Sequence, residues 1–255
     1  TSDDSEAWFD IGGMVVQDGA VYILISRSMD TWGQYDLWEI PLDGSEVRQV
    51  ASGAMLSLCA YKPGTLLIRY WDQDEAYSGS EVLMPTLCSL DIATGEMTEL
   101  LSLSSISQNG MAYDPATDTI YTSTDSLLYR SVALGEEEAC AYINLPFMST
   151  NNISSALIDG KYYVVDNGNG GYAISETDPA KMPKHALKIA AYFKDDIMIG
   201  FTKAHPEIPV VTQESSSYTA EQVSQEMISG SDACDVYLIS NGWGTLEPVS
   251  YTHLT

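Results

Sequence analysis

The feature that most constrains this chain is a local message repeated along its first two thirds: an apolar alternating run, a tight turn, and a second run that answers the first. MVVQDGAVYILIS (residues 14–26) does this around Asp18-Gly19. The pattern returns in MLSLCAYKPGTLLIRYW (55–71), MAYDPATDTIYTS (111–123) and SALIDGKYYVVD (155–166). Hairpins of a second flavour lie between them, DLWEIPLDGSEVRQV (36–50), LCSLDIATGEMTEL (87–100) and LLYRSVALGEEEACAYI (127–143). Period-two alternation bounded by Asp-Gly or Thr-Gly reads as paired antiparallel strands, because such turns need a residue that tolerates positive φ.

Two hairpins per unit, recurring about every 40 to 55 residues, describe the four-stranded blade of a β-propeller. Repetition has a physical cause here: one blade cannot bury both of its faces, whereas stacked blades cover each other. Residues 1–175 therefore read as a partial propeller of about three to four blades, with further blades expected upstream of Thr1. Tyr22, Trp32, Tyr35 and Trp38 are expected between blades.

Beyond Ser175 the pattern changes. ETDPAKMPKHA (176–186) carries two prolines and no periodicity, and five of the chain's eleven basic residues, Lys181, Lys184, Lys188, Lys194 and Lys203, cluster there and just beyond, which marks a linker. Residues 187–248 then alternate short apolar runs, LKIAAY (187–192), PVVT (209–212) and DVYLIS (235–240), with helix-length segments. That order predicts the opening βαβαβ part of an α/β layer. Asp195 and Asp196 would cap the first helix, with Ile197, Phe201 and Ala204 on one face and Pro206 ending it. Thr219 and Gln222 form a capping box for the second, whose apolar face is Ala220, Val223, Met227 and Ile228 before Gly230.

Two resemblances attach to these stretches. Asp36, Leu37, Trp38, Leu42, Asp43 and Gly44 resemble the repeat of TolB-type propellers. Phe201, Lys203, His205, Pro206, Ile208, Val210, Gly230, Asp235, Val236 and Tyr237 resemble the first lobe of extracellular solute-binding proteins of ABC importers, the carbohydrate-binding type in particular. The second resemblance covers about a fifth of the chain. It implies an exported, lipid-anchored cell-surface component that captures a small solute, a sugar, by hinge closure and delivers it to an ABC permease. The alternative from another class is a propeller-based protein-interaction or sensing module with no transport role.

Composition excludes more than it assigns. The chain has 255 residues, 45% hydrophobic and 18% charged, enough for a real core. A net charge of −25 argues against nucleic acid and anionic membranes as partners. The four cysteines have no metal-ligand spacing, and the three histidines fall in the linker, at a helix end and in the tail, so neither a metal site nor a catalytic triad is expected. No G-x-S-x-G elbow occurs, and no cofactor motif is present; NGNGG (167–171) follows a strand and opens no helix. The chain is therefore expected to bind, not to catalyse. WDQDEAYSGSE (71–81) gathers carboxylates without the spacing of a calcium loop and reads as a solvated connection.

The expected solute site lies beyond the carboxyl ends of the α/β strands, where open sheets place their ligands. Trp243 would stack on a sugar ring beside Asn241, with Phe193 and Asp195 at the same edge and Asp195 accepting from hydroxyls. Residues 249–255, VSYTHLT, match the translation of a sequencing-library adapter and are expected to be foreign to the fold.

Overall fold

Alternation sets the strands, and turn residues set where they reverse. The computed structural model describes residues 10–26, 34–72, 83–104, 110–124, 126–143, 153–166, 170–176, 179–191, 196–205, 207–214, 228–230 and 234–237. The first sheet runs β1 (Asp10–Gln17), β2 (Ala20–Ser26), β3 (Tyr35–Pro41) and β4 (Arg48–Gly53), each antiparallel to the next. Gln17 pairs with Ala20, so Asp18 and Gly19 alone make the turn, at φ of 48° and 80°. Positive φ at both positions is the geometry whose twist matches the strands it joins.

The second sheet repeats this with β5 (Met55–Ala60), β6 (Thr65–Tyr70), β7 (Thr86–Asp91) and β8 (Met97–Ser102). The third uses β9 (Gly110–Asp114), β10 (Thr119–Ser123), β11 (Leu127–Val132) and β12 (Glu138–Tyr142). The fourth shows three strands, β13 (Ile153–Ile158), β14 (Lys161–Asp166) and β15 (Gly170–Ile174). The first strands of successive sheets pack side by side, β1 on β5, β5 on β9 and β9 on β13. Four radially stacked meanders with their first strands innermost are a propeller-like arrangement.

Each blade has two faces, and the core sits in the seams between them. Between the first and second blades, Tyr22, Leu24 and Leu37 meet Leu58, Leu66, Ile68 and Leu90. Between the second and third, Leu67 and Leu87 meet Met111 and Ile120. Between the third and fourth, Tyr121, Leu128 and Cys140 meet Tyr162 and Val164. Leu66 and Leu67 are neighbours in sequence, yet they fill different seams, and both are fully buried. That follows from side chains alternating across a strand.

Of the aromatics expected between blades, Tyr22 is buried and Tyr35 packs at the edge of the first seam, while Trp32 lies outside the described residues. Trp38 pairs with Ile23 on the face of the first blade that turns away from the second, a face on which Ile11, Met14 and Val16 are exposed. It is therefore not part of the first seam, because residue 38 is one step out of phase with Leu37.

After the fourth blade come a short 3₁₀ turn (Pro179–Lys181), β16 (Leu187–Ala191), α1 (Asp196–Ala204), β17 (Val210–Glu214) and β18 (Val236–Tyr237). The three strands pair in parallel in the order β17-β16-β18. This region corrects the expectation of an α/β solute-binding lobe. Among the described residues of this region there is one nine-residue helix besides the 3₁₀ turn and a helical Ile228 and Ser229, and the buried apolar residues are Ile189, Val210 and Cys234, with Leu187 and Phe201 against the first two. Within the described residues one helix packs on the three strands, and the helices on both faces that an α/β lobe requires are not among them. Of the second expected helix, Thr219, Ala220, Gln222, Val223 and Met227 lie outside the described residues; Ile228 and Ser229 are helical and Gly230 follows at a φ of 67°, as expected of its end, but Ile228, expected on the apolar face, is 75% exposed. Residues 249–255 also lie outside them.

Candidate functional site

The blades present two ends, and the chemistry of the two differs. At the hairpin-turn end, side chains lash neighbouring blades together. Gln17 Nε2 donates to the Lys62 and Thr65 carbonyls at 3.1 and 2.9 Å, and Gln17 Oε1 accepts from the Tyr61 amide at 3.0 Å. Asp18 Oδ2 accepts from the Gly64 amide at 2.8 Å. Lys62 pairs with Asp118 at 3.2 Å, and the Tyr113 hydroxyl donates to Asp118 at 2.7 Å. The Gly64 amide holds the Asp18 carboxyl below the usual carboxylate range, and Tyr113 with Lys62 does the same for Asp118. These side chains hold the turns of neighbouring blades to one another.

The sign of the pH dependence follows. A carboxyl whose pKa is lower folded than unfolded contributes stability above its unfolded value, and that stability is lost as pH falls through the folded one. The thermal midpoint is therefore expected to drop as pH is taken below about 4. Asp18→Asn and Asp118→Asn, measured by calorimetry between pH 6 and 3, are expected to flatten that drop; an unchanged slope in both would contradict the assignment.

The opposite end carries the loops and an open cleft of about 380 Å³ on the second blade. Its floor runs from the loop end along one face of β6, β7 and β8: Tyr70, Thr86, Cys88, Met97 and Glu99. Trp71, Asp72, Leu83 and Met84 form the wall. The Trp71 indole Nε1 donates to the Leu83 carbonyl at 2.8 Å, which fixes the ring's orientation. Leu83 and Met84 are about half exposed. A fixed aromatic plane, flexible apolar side chains and two carboxylates make a surface for binding apolar and cationic groups. In the sequence, Trp71 and Asp72 read as the start of a solvated connection, because the cleft's other residues come from three strands and a loop; the signal it contained was an aromatic pair, Tyr70-Trp71, ending a strand.

A buried polar knot closes the seam between the third and fourth blades. The Ser123 and Tyr162 hydroxyls lie 2.9 Å apart, and Ser155 Oγ accepts from the Met111 amide at 2.8 Å. Burial pushes the Tyr162 hydroxyl up to about 12, so it stays protonated and serves as a tether. Burial likewise pushes the Cys59 and Cys140 thiols up to about 12. Neither is a nucleophile near neutral pH.

The four residues expected to hold a solute, Phe193, Asp195, Asn241 and Trp243, lie outside the described residues. No group of three or more metal-ligating side chains occurs among the described residues. Among them, too, no helix is long and apolar enough to cross a membrane.

No family model matches the chain, and no curated protein matches it. Neither the TolB-type nor the solute-binding resemblance gains support from these comparisons, and what stands of the reading is the propeller-like β arrangement. Among solved structures the chain is similar to one from a nidogen/laminin complex, at 14% identity and a TM-score of 0.47, covering 67% of this chain and 61% of that one. It is also similar to an auxiliary nutrient binding protein from Bacteroides thetaiotaomicron, at 14% identity and a TM-score of 0.42, covering 65% of this chain and 41% of the other. The chain thus spans about three fifths or less of the length of these two structures.

Proposed function

We propose that the chain is a propeller-based interaction module that works by binding, and that its loop-end cleft takes a cationic segment carrying an apolar anchor. The observation that supports this reading is the cleft of the second blade, where the oriented Trp71 indole stands beside Leu83, Met84 and Met97 with the carboxylates of Asp72 and Glu99. Tryptophan in a partly desolvated pocket is the side chain type that anchors interfaces, and methionine adapts to varied partners. The net charge of −25 adds a long-range field that draws cationic partners and repels polyanions.

A peptide library displayed on phage and panned against the whole chain tests this. Enriched sequences are expected to combine Lys or Arg with an aliphatic or aromatic residue. Trp71→Ala is expected to weaken them at least about tenfold, roughly 1.4 kcal/mol. Enrichment of acidic sequences, or binding indifferent to Trp71, would count against the cleft. Calorimetry with mono- and disaccharides is expected to give no heat of binding; a saturable sugar isotherm would favour solute capture instead.

A further inference from the structure

Arg69 sits on β6, two residues beyond Leu67 and on the same face, so it points into the seam between the second and third blades. Its strand neighbours across the sheet are Ser57 on β5 and Leu87 on β7. Its Nε and Nη1 are sealed from solvent and have no hydrogen-bond partner, which leaves Nη2 as the nitrogen not closed in. Arg48 and Arg130 behave differently: Arg48 pairs with Glu39 at 2.5 Å, and Arg130 with Glu176 and Glu138 at 2.7 and 3.2 Å. Glu137, a carboxylate that bridges the second and third blades, is committed to Thr122 Oγ1 and to the Ser104 amide, both at 2.7 Å.

A guanidinium taken out of water without an acceptor is costly, and such groups are retained where an anion completes them. Burial also pushes this one down to about 10, which leaves it cationic at neutral pH. Nη2 is the donor an arriving acceptor meets first, and it shares one edge of the fork with the unsatisfied Nε and the other with the unsatisfied Nη1, which the acceptor reaches only as the seam gives locally. A carboxylate matches that spacing in its own plane. One cation neutralises one negative charge, and the field of a −25 chain penalises multiply charged anions. Leu101, partly exposed, lies in the same cross-strand row as Arg69 and Leu87 and offers an aliphatic surface at the rim of the seam, while Leu67, Met111 and Ile120 are packed beneath it.

We propose that Arg69 is the receptor of an anion site in the seam between the second and third blades, and that its ligand is a small aliphatic monocarboxylate. The site is separate from the cleft at Trp71, which lies on the other face of the same blade, so the two readings fail independently.

The test titrates the whole chain with sodium butyrate against sodium chloride at equal ionic strength, following the thermal midpoint and the heat of binding. Wild type is expected to show a saturable, single-site rise in midpoint with butyrate over chloride. Arg69→Met, which removes the charge at similar volume, is expected to have a midpoint at or above that of wild type without ligand and to lose the butyrate response. Arg69→Lys keeps the charge and loses the fork, and is expected to raise the butyrate dissociation constant at least about tenfold. This second variant and the wild-type titration decide the matter even where Arg69→Met does not fold. No butyrate response in wild type, an equal response in either variant, or a response to inorganic phosphate that matches butyrate would overturn the proposal.

Discussion

Leu67→Ala is expected to destabilise the protein by about 3 kcal/mol, within the range for a fully buried leucine, and to lower the thermal midpoint by roughly 6 to 12 °C. Leu67 has no exposed surface and lies in the seam with Leu87, Leu103, Met111 and Ile120. The loss combines the transfer of the removed methyl groups with the void left in a seam whose backbones are held apart by two hydrogen-bonded sheets. Such a seam collapses little, so the void term is large. Denaturant unfolding of wild type and variant, compared at a fixed slope, measures it; a change below about 1 kcal/mol would mean that the seam is not closed around Leu67.

Gly95→Ala is expected to be nearly as damaging, for a different reason. Gly95 has a φ of 73° in the turn between β7 and β8, and a Cβ there would stand 2.3 Å from the Val50 carbonyl oxygen on β4. The backbone cost of alanine at such a φ is about 1 kcal/mol, and the contact with the neighbouring blade's main chain adds to it because no side-chain rotation relieves it. A total of about 2 to 4 kcal/mol is expected. Gly44 is the internal control: it occupies the corresponding turn of the first blade at φ 81°, with no atom within 4 Å of an added Cβ. Gly44→Ala is expected to lose only the backbone part, about 1 kcal/mol. Equal losses at Gly44 and Gly95 would mean that the outer turn of the second blade does not touch the first.

These two residues also show what the sequence made legible. Thr94-Gly95 and Asp43-Gly44 announced hairpins because turn geometry is local, and the short apolar run of TLLIRY, bounded by a turn, announced a strand apolar on both faces. Recurrence of the pair then announced stacking, since a blade with Leu66 on one face and Leu67 on the other has apolar residues on both sides. The contact between Gly95 and Val50 was not legible, because it depends on how two blades lean together. Nor was the cleft, whose Trp71, Met84 and Glu99 come from separate segments.

Arg69 was half legible. Its parity with Leu67 placed it facing inward, but the lack of a partner is a property of the surrounding seam. The reading of residues 187–248 went astray where local pattern was asked to stand for packing. Short apolar runs and a helix beginning at Asp196 are present, and the strands pair in parallel, but among the described residues the apolar core beside them is Ile189, Val210 and Cys234. Periodicity reports which side of an element is apolar and is silent on how much apolar surface another element brings to meet it.

The central claim is that each inner blade is buried on both faces by its neighbours, and a set of double-mutant cycles on β6 tests it most directly. Leu67 and Ile120 share one seam, and Leu66 and Leu24 share the other. Coupling energies of about 0.5 kcal/mol or more are expected for Leu67 with Ile120 and for Leu66 with Leu24, and near zero for Leu66 with Ile120. Coupling of Leu66 to Ile120, or the absence of coupling in either same-seam pair, would contradict the stacked-blade architecture.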